Sequence, residues 1–119
     1  MIEPWVNPWS RLIYAHLHHE PFDPLVAEWE FPPTGPLSGA NGAMPWILFR
    51  RDRGRFESEF PQWRIRSFRP MMPLRYLLSG GVSMRNLSPG GLDYAVGAAE
   101  ALCPCLGMFA CVVLERAAA

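Results

Sequence analysis

Met108-Phe109-Ala110-Cys111-Val112-Val113-Leu114 is a continuously apolar, partly β-branched run. Its length and composition are those of an interior strand buried on both faces. Ahead of it, Leu92, Ala95, Val96, Ala99 and Leu102 recur at helical spacing, with Asp93 and Glu100 off that stripe, and Pro104 stops the helix. Further upstream, Trp63-Arg64-Ile65-Arg66 alternates apolar with charged, as a half-exposed strand does. Its arginines suit a sheet edge, where charge discourages pairing with foreign strands. Residues 63–68 are therefore expected to pair antiparallel with residues 108–114, the second strand lying inside.

The rest of the chain is organised around that pair. Ile2-Glu3-Pro4 reads as the end of a strand, and Asn7-Pro8 is a helix start: the asparagine caps free amides and the proline loses nothing at the first helical position. Trp9, Leu12, Ile13, His16 and Leu17 continue a helix over residues 8–19 until Pro21 closes it. Residues 20–45 are rich in proline and glycine but also hold Phe22, Trp29 and Phe31, which points to a lid or binding loop with at most one helical turn at 25–29. The type of Trp46-Ile47-Leu48-Phe49 is left open by its periodicity, and Asp52 is placed to cap a short helix running to Phe60.

Length and charge restrict the function. With 119 residues, 50% of them hydrophobic, the chain has room for one domain with a core. Eleven basic and eleven acidic residues cancel, so no global field favours nucleic acid or an anionic membrane. All the basic side chains are arginines, and those from Arg50 to Arg69 are interspersed with Asp52, Glu57 and Glu59, the pattern of a solvated mixed-charge face. Cys103, Cys105 and Cys111 are an odd number with no secretory signal before them, which reads as reduced, buried apolar thiols in a cytoplasmic protein. No second Cys or His pair at zinc-ligand spacing accompanies them, so no metal is expected.

The order reached is strand end with Glu-Pro, helix, long loop, helix, edge strand, helix, buried strand. It resembles the second half of the class I S-adenosylmethionine-dependent methyltransferase fold, through Ile2-Glu3-Pro4 as the end of its fifth strand and the two later strands as its sixth and seventh. His18-His19-Glu20-Pro21-Phe22, the stretch Gly35-Pro36-Leu37-Ser38-Gly39-Ala40-Asn41-Gly42, and Arg75-Tyr76-Leu77-Leu78-Ser79-Gly80-Gly81 are similar to a bacterial subgroup of that family. The resemblance implies an α/β class: the C-terminal part of a Rossmann-like methyltransferase fold, ending in an antiparallel strand pair with the seventh strand inserted between the fifth and sixth.

The family binds S-adenosyl-L-methionine through a glycine-rich turn after its first strand and an acidic residue ending its second. Gly39-Ala40-Asn41-Gly42 and Gly80-Gly81 follow no expected strand and open no helix, so this chain supplies no cofactor-binding residues. The resemblance thus implies a substrate-side portion, inactive alone, with Met1 an internal methionine and a missing N-terminal half or a homo-oligomer partner completing it. Its substrate would be an unidentified small acceptor.

Candidate site residues follow from placement. Glu3 ends a strand, and ligands of open α/β sheets bind beyond the carboxyl ends of strands. His18, His19 and Glu20 precede the lid, and each has the chemistry to remove a proton from an acceptor. Asn41, Tyr76 and Ser79 offer hydrogen-bonding groups in loops near glycine and are the substrate-binding candidates. His16 reads as a core histidine. His16, His19 and Glu20 stand at i, i+3 and i+4, but no further ligand joins them and Pro21 ends the helix, so they are not assigned a metal.

Two other classes of function compete: a small membrane-anchored protein, through residues 94–114, and a non-enzymatic interaction protein. The first is weak. Strongly apolar residues contribute about −0.3 to −0.6 kcal/mol each to insertion, against about +2.5 to +3.5 kcal/mol for a central charge such as Glu100, and Pro104 breaks the span.

Overall fold

A computed structural model describes residues 1–18, 20–29, 39–80 and 92–117. His19, residues 30–38 of the expected lid, and the glycine at 81 lie outside the described residues. The elements run β1 (Ile2–Pro4), α1 (Pro8–His16), α2 (Met44–Trp46) continuing into a π-helical turn (Ile47–Arg51), α3 (Arg53–Glu59), β2 (Trp63–Met71), α4 (Arg75–Leu78), α5 (Leu92–Ala101), a 3₁₀ turn (Pro104–Leu106) and β3 (Phe109–Arg116). This is a mixed α/β arrangement around a three-stranded antiparallel sheet of order β1-β3-β2.

The expected strand pair is present, and the second strand is the inner one. Ile65 faces Leu114 and Phe68 faces Val112, while Glu3 of β1 faces Ala110 on the other side. β2 runs to Met71, three residues past the expected Phe68, and a bulge lies between Ile65 and Ser67. The extra residue shifts the pleat by one, so Ile65 and Phe68, three apart in sequence, share a face. That face carries the core: Trp5, Phe49, Phe56, Ile65, Ala110 and Val112 are buried together. Trp5 stacks on Phe68 with ring centroids 5.5 Å apart.

Burial of β3 on both faces is a correction. Met108, Ala110 and Val112 are fully buried, but Val113 is exposed and Cys111 only half-buried. The strand is interior by pairing, but beyond Phe109, which meets Tyr76 of α4, its second face is only partly covered. Cys103 and Cys105 are likewise exposed rather than buried, because the first caps and the second lies within a 3₁₀ turn at the surface.

α1 forms as its signals dictate. The Asn7 side chain accepts from the Ser10 amide (2.9 Å), and Ser10 Oγ accepts from the Asn7 amide (2.9 Å), a reciprocal cap. The helix ends at His16, one turn before the expected limit, and the Leu17 amide closes it on the Ile13 carbonyl (2.8 Å). Asn7 Nδ2 also donates to the Gly107 carbonyl (2.6 Å), tying this cap to the entry of β3. Gly107 is required there: a Cβ would stand 2.8 Å from Pro70 Cβ and from the Pro70 carbonyl carbon.

Residues 46–49 resolve as the end of α2 and a π turn, closed by the Asp52 amide donating to the Ile47 carbonyl (2.8 Å). Asp52 precedes α3 but its side chain makes no cap bond. Its carboxylate is engaged elsewhere, as described below. Residues 25–29 form no helix.

α5 presents the opposite face from the one its periodicity indicated. Leu92, Tyr94, Ala95, Ala99 and Leu102 are exposed, whereas Glu100 is only 6% exposed. Its carboxylate accepts from the Leu74 amide (2.9 Å), the Arg75 amide (2.7 Å) and Arg75 Nε (2.5 Å), and so caps α4. Three charge-assisted bonds outweigh the cost of burying one carboxylate, while nothing among the described residues packs on the alanine-rich stripe. Residues 94–114 divide between α5, the 3₁₀ turn and β3, so the membrane-span reading falls. Among the described residues no helix is long and apolar enough to cross a membrane.

Candidate functional site

A cleft of about 360 Å³ opens between β1 and α2 and is lined by Glu3, Glu20, Asn41, Met44, Leu48 and Phe49 among others. Three sequence-nominated residues therefore meet in one place. Glu3 reaches it because paired residues share a side of a sheet: its partner Ala110 is in the core, so the Glu3 side chain projects on that same side. Met44, Leu48 and Phe49 supply an apolar floor from α2 and the π turn.

The opposite wall is the folded-back start of the 20–45 connection. Asn41 Oδ1 accepts from the amides of Asp23 (2.9 Å) and Ala43 (3.0 Å), and its Nδ2 donates to the Asp23 carbonyl (2.6 Å). The Gly42 amide donates to the Pro21 carbonyl (2.8 Å). A Cβ at Gly42 would press to 3.3 Å from the Phe22 ring. Asn41 thus borders the cleft, but its amide is spent on the loop: it shapes the wall rather than offering bonds to a ligand.

Behind Glu20 lies a polar and aromatic cluster. The Glu20 amide donates to His18 Nδ1 (3.3 Å), and His18 Nε2 is 3.1 Å from the Tyr76 hydroxyl. With Nδ1 accepting, the neutral imidazole carries its proton on Nε2 and donates it to Tyr76. The Glu20 carboxylate stands 3.9 Å from His18 Nδ1, so protonation of the ring converts this contact into an ion pair. Tyr14 lies against His18 and stacks on Phe22 with centroids 4.1 Å apart. Burial, and after it the neighbouring Tyr76 and Glu20, push the Tyr14 phenol above the usual range. Burial, then Glu20, does the same to Tyr76, so both phenols stay protonated at neutral pH. Ser79 Oγ donates to the Tyr76 carbonyl (3.1 Å), a helix-end role. Glu20 thus both borders the cleft and contacts the histidine.

His19 lies outside the described residues. His16 is exposed on α1, contrary to the core reading, because the helix turns that edge outward. α1 ends at His16, which removes the helical register that would have aligned His16, His19 and Glu20. Among the described residues no group of three or more His, Cys, Asp or Glu could hold a metal ion.

The sequence reading missed a latch beside this site. Arg51 donates to Asp52 from Nε (2.8 Å) and Nη2 (2.7 Å), and through Nη1 to the carbonyls of Pro24 (2.8 Å) and Val26 (2.7 Å). Trp29 Nε1 donates to Asp52 Oδ2 (2.9 Å), and the Arg55 guanidinium lies over the Trp29 ring at 4.1 Å. Residues 24–29 are thereby pinned to the π turn. The adjacent Arg51-Asp52 pair was the available signal, but it reads as surface charge until the loop is seen to return.

No family model, curated protein or solved structure matches this chain.

Proposed function

We propose that this chain is the substrate-side part of an S-adenosylmethionine-dependent methyltransferase of Rossmann-like class I architecture, inactive without a cofactor-binding half. The observation that carries the reading is the convergence of Glu3, Glu20 and the Asn41 turn on one cleft beside β1. The sheet order, with β3 antiparallel between β1 and β2, agrees with the placement that the resemblance implies for the last three strands.

The described glycine turns do not fit the cofactor. The Gly42 amide and the Asn41 side chain are already bonded within the loop, and no described strand leads into them. The residues of this chain act on the acceptor. Met44, Leu48 and Phe49 exclude water from its apolar body, Glu3 orients it, and the Glu20 carboxylate takes a proton from its hydroxyl or amine. His18, held by Tyr76, sits behind Glu20 as a positioning residue.

The test is to express the gene with its in-frame upstream coding sequence and to measure transfer of a labelled methyl group to small hydroxylated and amino acceptors. The expected result is transfer that falls about 100-fold in Glu20→Gln. Upstream DNA with no reading frame for a strand followed by a glycine-rich turn, or an extended protein that neither binds the cofactor nor methylates, overturns the reading.

An interaction module is the second reading. It is favoured by the exposed Leu92, Tyr94 and Leu102 on and beside α5. A methyl-transfer signal from the extended protein separates the two.

A further inference from the structure

A second, larger cleft of about 670 Å³ lies on the other side of the pinned loop, between α1, residues 24–25 and α2, and belongs to no part of the methyl-transfer reading. Its walls are apolar: Val6, Leu12, Ala15, Leu25 and Trp46 line it, and Leu12 and Leu25 stand exposed at 51% and 78%. Its charge is one-sided. Arg11 and Arg51 line it, and among the described residues no carboxylate does.

The two arginines differ. Arg51 spends four of its five N–H donors on Asp52 and the two loop carbonyls, so it mainly fixes the far wall. The Arg11 guanidinium has no hydrogen-bond or ion-pair partner among the described residues, and it sits one helical position from Leu12 on the cleft side of α1. An unengaged planar fork of donors at the mouth of an apolar cleft is complementary to a carboxylate joined to an apolar body. The volume falls within the range that holds small organic ligands, and the Arg51 clamp gives a wall that is already in place.

We propose that this cleft is a binding site for an amphiphilic monocarboxylate, whose chain or ring lies against Leu12, Leu25 and Trp46 and whose carboxylate is held by Arg11. The proposal is independent of the methyltransferase reading.

The test titrates the chain with decanoate, decanol and decyltrimethylammonium, following amide and indole NMR shifts together with sedimentation. The expected result is one saturable decanoate site, with shifts centred on Arg11, Leu25 and the Trp46 indole. Decanoate should bind about ten-fold more tightly than decanol, the worth of one charge-assisted pair at a partly open site. Arg11→Gln should abolish that preference while leaving decanol affinity and the melting temperature unchanged. Equal affinity for decanoate and decanol, tighter binding of the cationic amphiphile, or a preference retained in Arg11→Gln overturns the proposal. So does a dimer of the chain that closes the cleft and is broken by Leu12→Asp.

Discussion

β3 and α5 are both apolar stretches near the end of the chain, and they meet opposite fates. β3 is clasped by a strand on each side and by the aromatics of α2, α3 and the π turn, so Ala110 and Val112 lose all contact with water. The apolar stripe of α5, which runs on to Leu102, stays uncovered: Leu92 and Leu102 remain 41% and 83% exposed while the glutamate of the helix is buried. An apolar pattern therefore states what a segment is able to bury; whether it does so depends on what the rest of the chain brings to it. At about 25 cal/mol per Å² the covered strand draws its stability from area, and α5 is held mainly by three bonds to one carboxylate.

Substitutions break or sharpen that contrast. Val112→Asp places an uncompensated charge in the centre of the sheet and is expected to cost more than about 4 kcal/mol, enough to abolish the cooperative urea transition. A folded variant with a normal midpoint would show that β3 is not the organising strand. Glu100→Ala leaves the Leu74 and Arg75 amides without their acceptor and should cost about 1–3 kcal/mol, read as a lowered midpoint with α4 amides exchanging faster.

The Asp52 latch contributes less and is pH-dependent. The Arg51 hydrogen bonds, opposed by burial and aided by the Trp29 indole, hold its carboxyl at about 2. A carboxyl lowered by folding stabilises the folded state above its unfolded value, near 3.9, and loses that contribution as pH falls toward 2. Wild type is therefore expected to exceed Asp52→Asn by about 1–2 kcal/mol at pH 6, with the gap closing between pH 4 and 2 in paired thermal melts. A gap that persists at pH 2 would assign the latch to packing of Trp29 instead. The smallest effect belongs to Leu102→Ser, expected within about 0.5 kcal/mol because the side chain covers nothing among the described residues. A large loss there would mean that the α5 stripe is covered by something in solution, and the contrast with β3 would disappear.

Much of the local structure was readable in advance. The Asn7-Pro8 cap starts α1 where expected, residues 92–101 are helical, and the pair of terminal strands has its direction and inner member as read. Glu3 was nominated by its place at a strand end, Glu20 and Asn41 by their types and loop positions, and all three border one cleft. The role of Asn41 was not readable, because an amide that braces a loop and one that meets a ligand look identical in sequence. Nor was the bulge in β2, whose single extra residue leaves Trp63-Arg64-Ile65-Arg66 alternating as before while moving Phe68 into the core.

Capping, proline stops and periodicity act within a few residues of their cause, so α1, α5 and the terminal strand pair were legible in the chain, whereas α2, the π turn and α4 were not. Which faces are buried follows from packing: Glu100 went inward because two amides and a guanidinium 25 and 26 residues upstream await it, and Val113 stayed outside because the helix on its side of β3, α4, packs at the Phe109 end. Burial is a property of two surfaces, and a sequence pattern describes one of them.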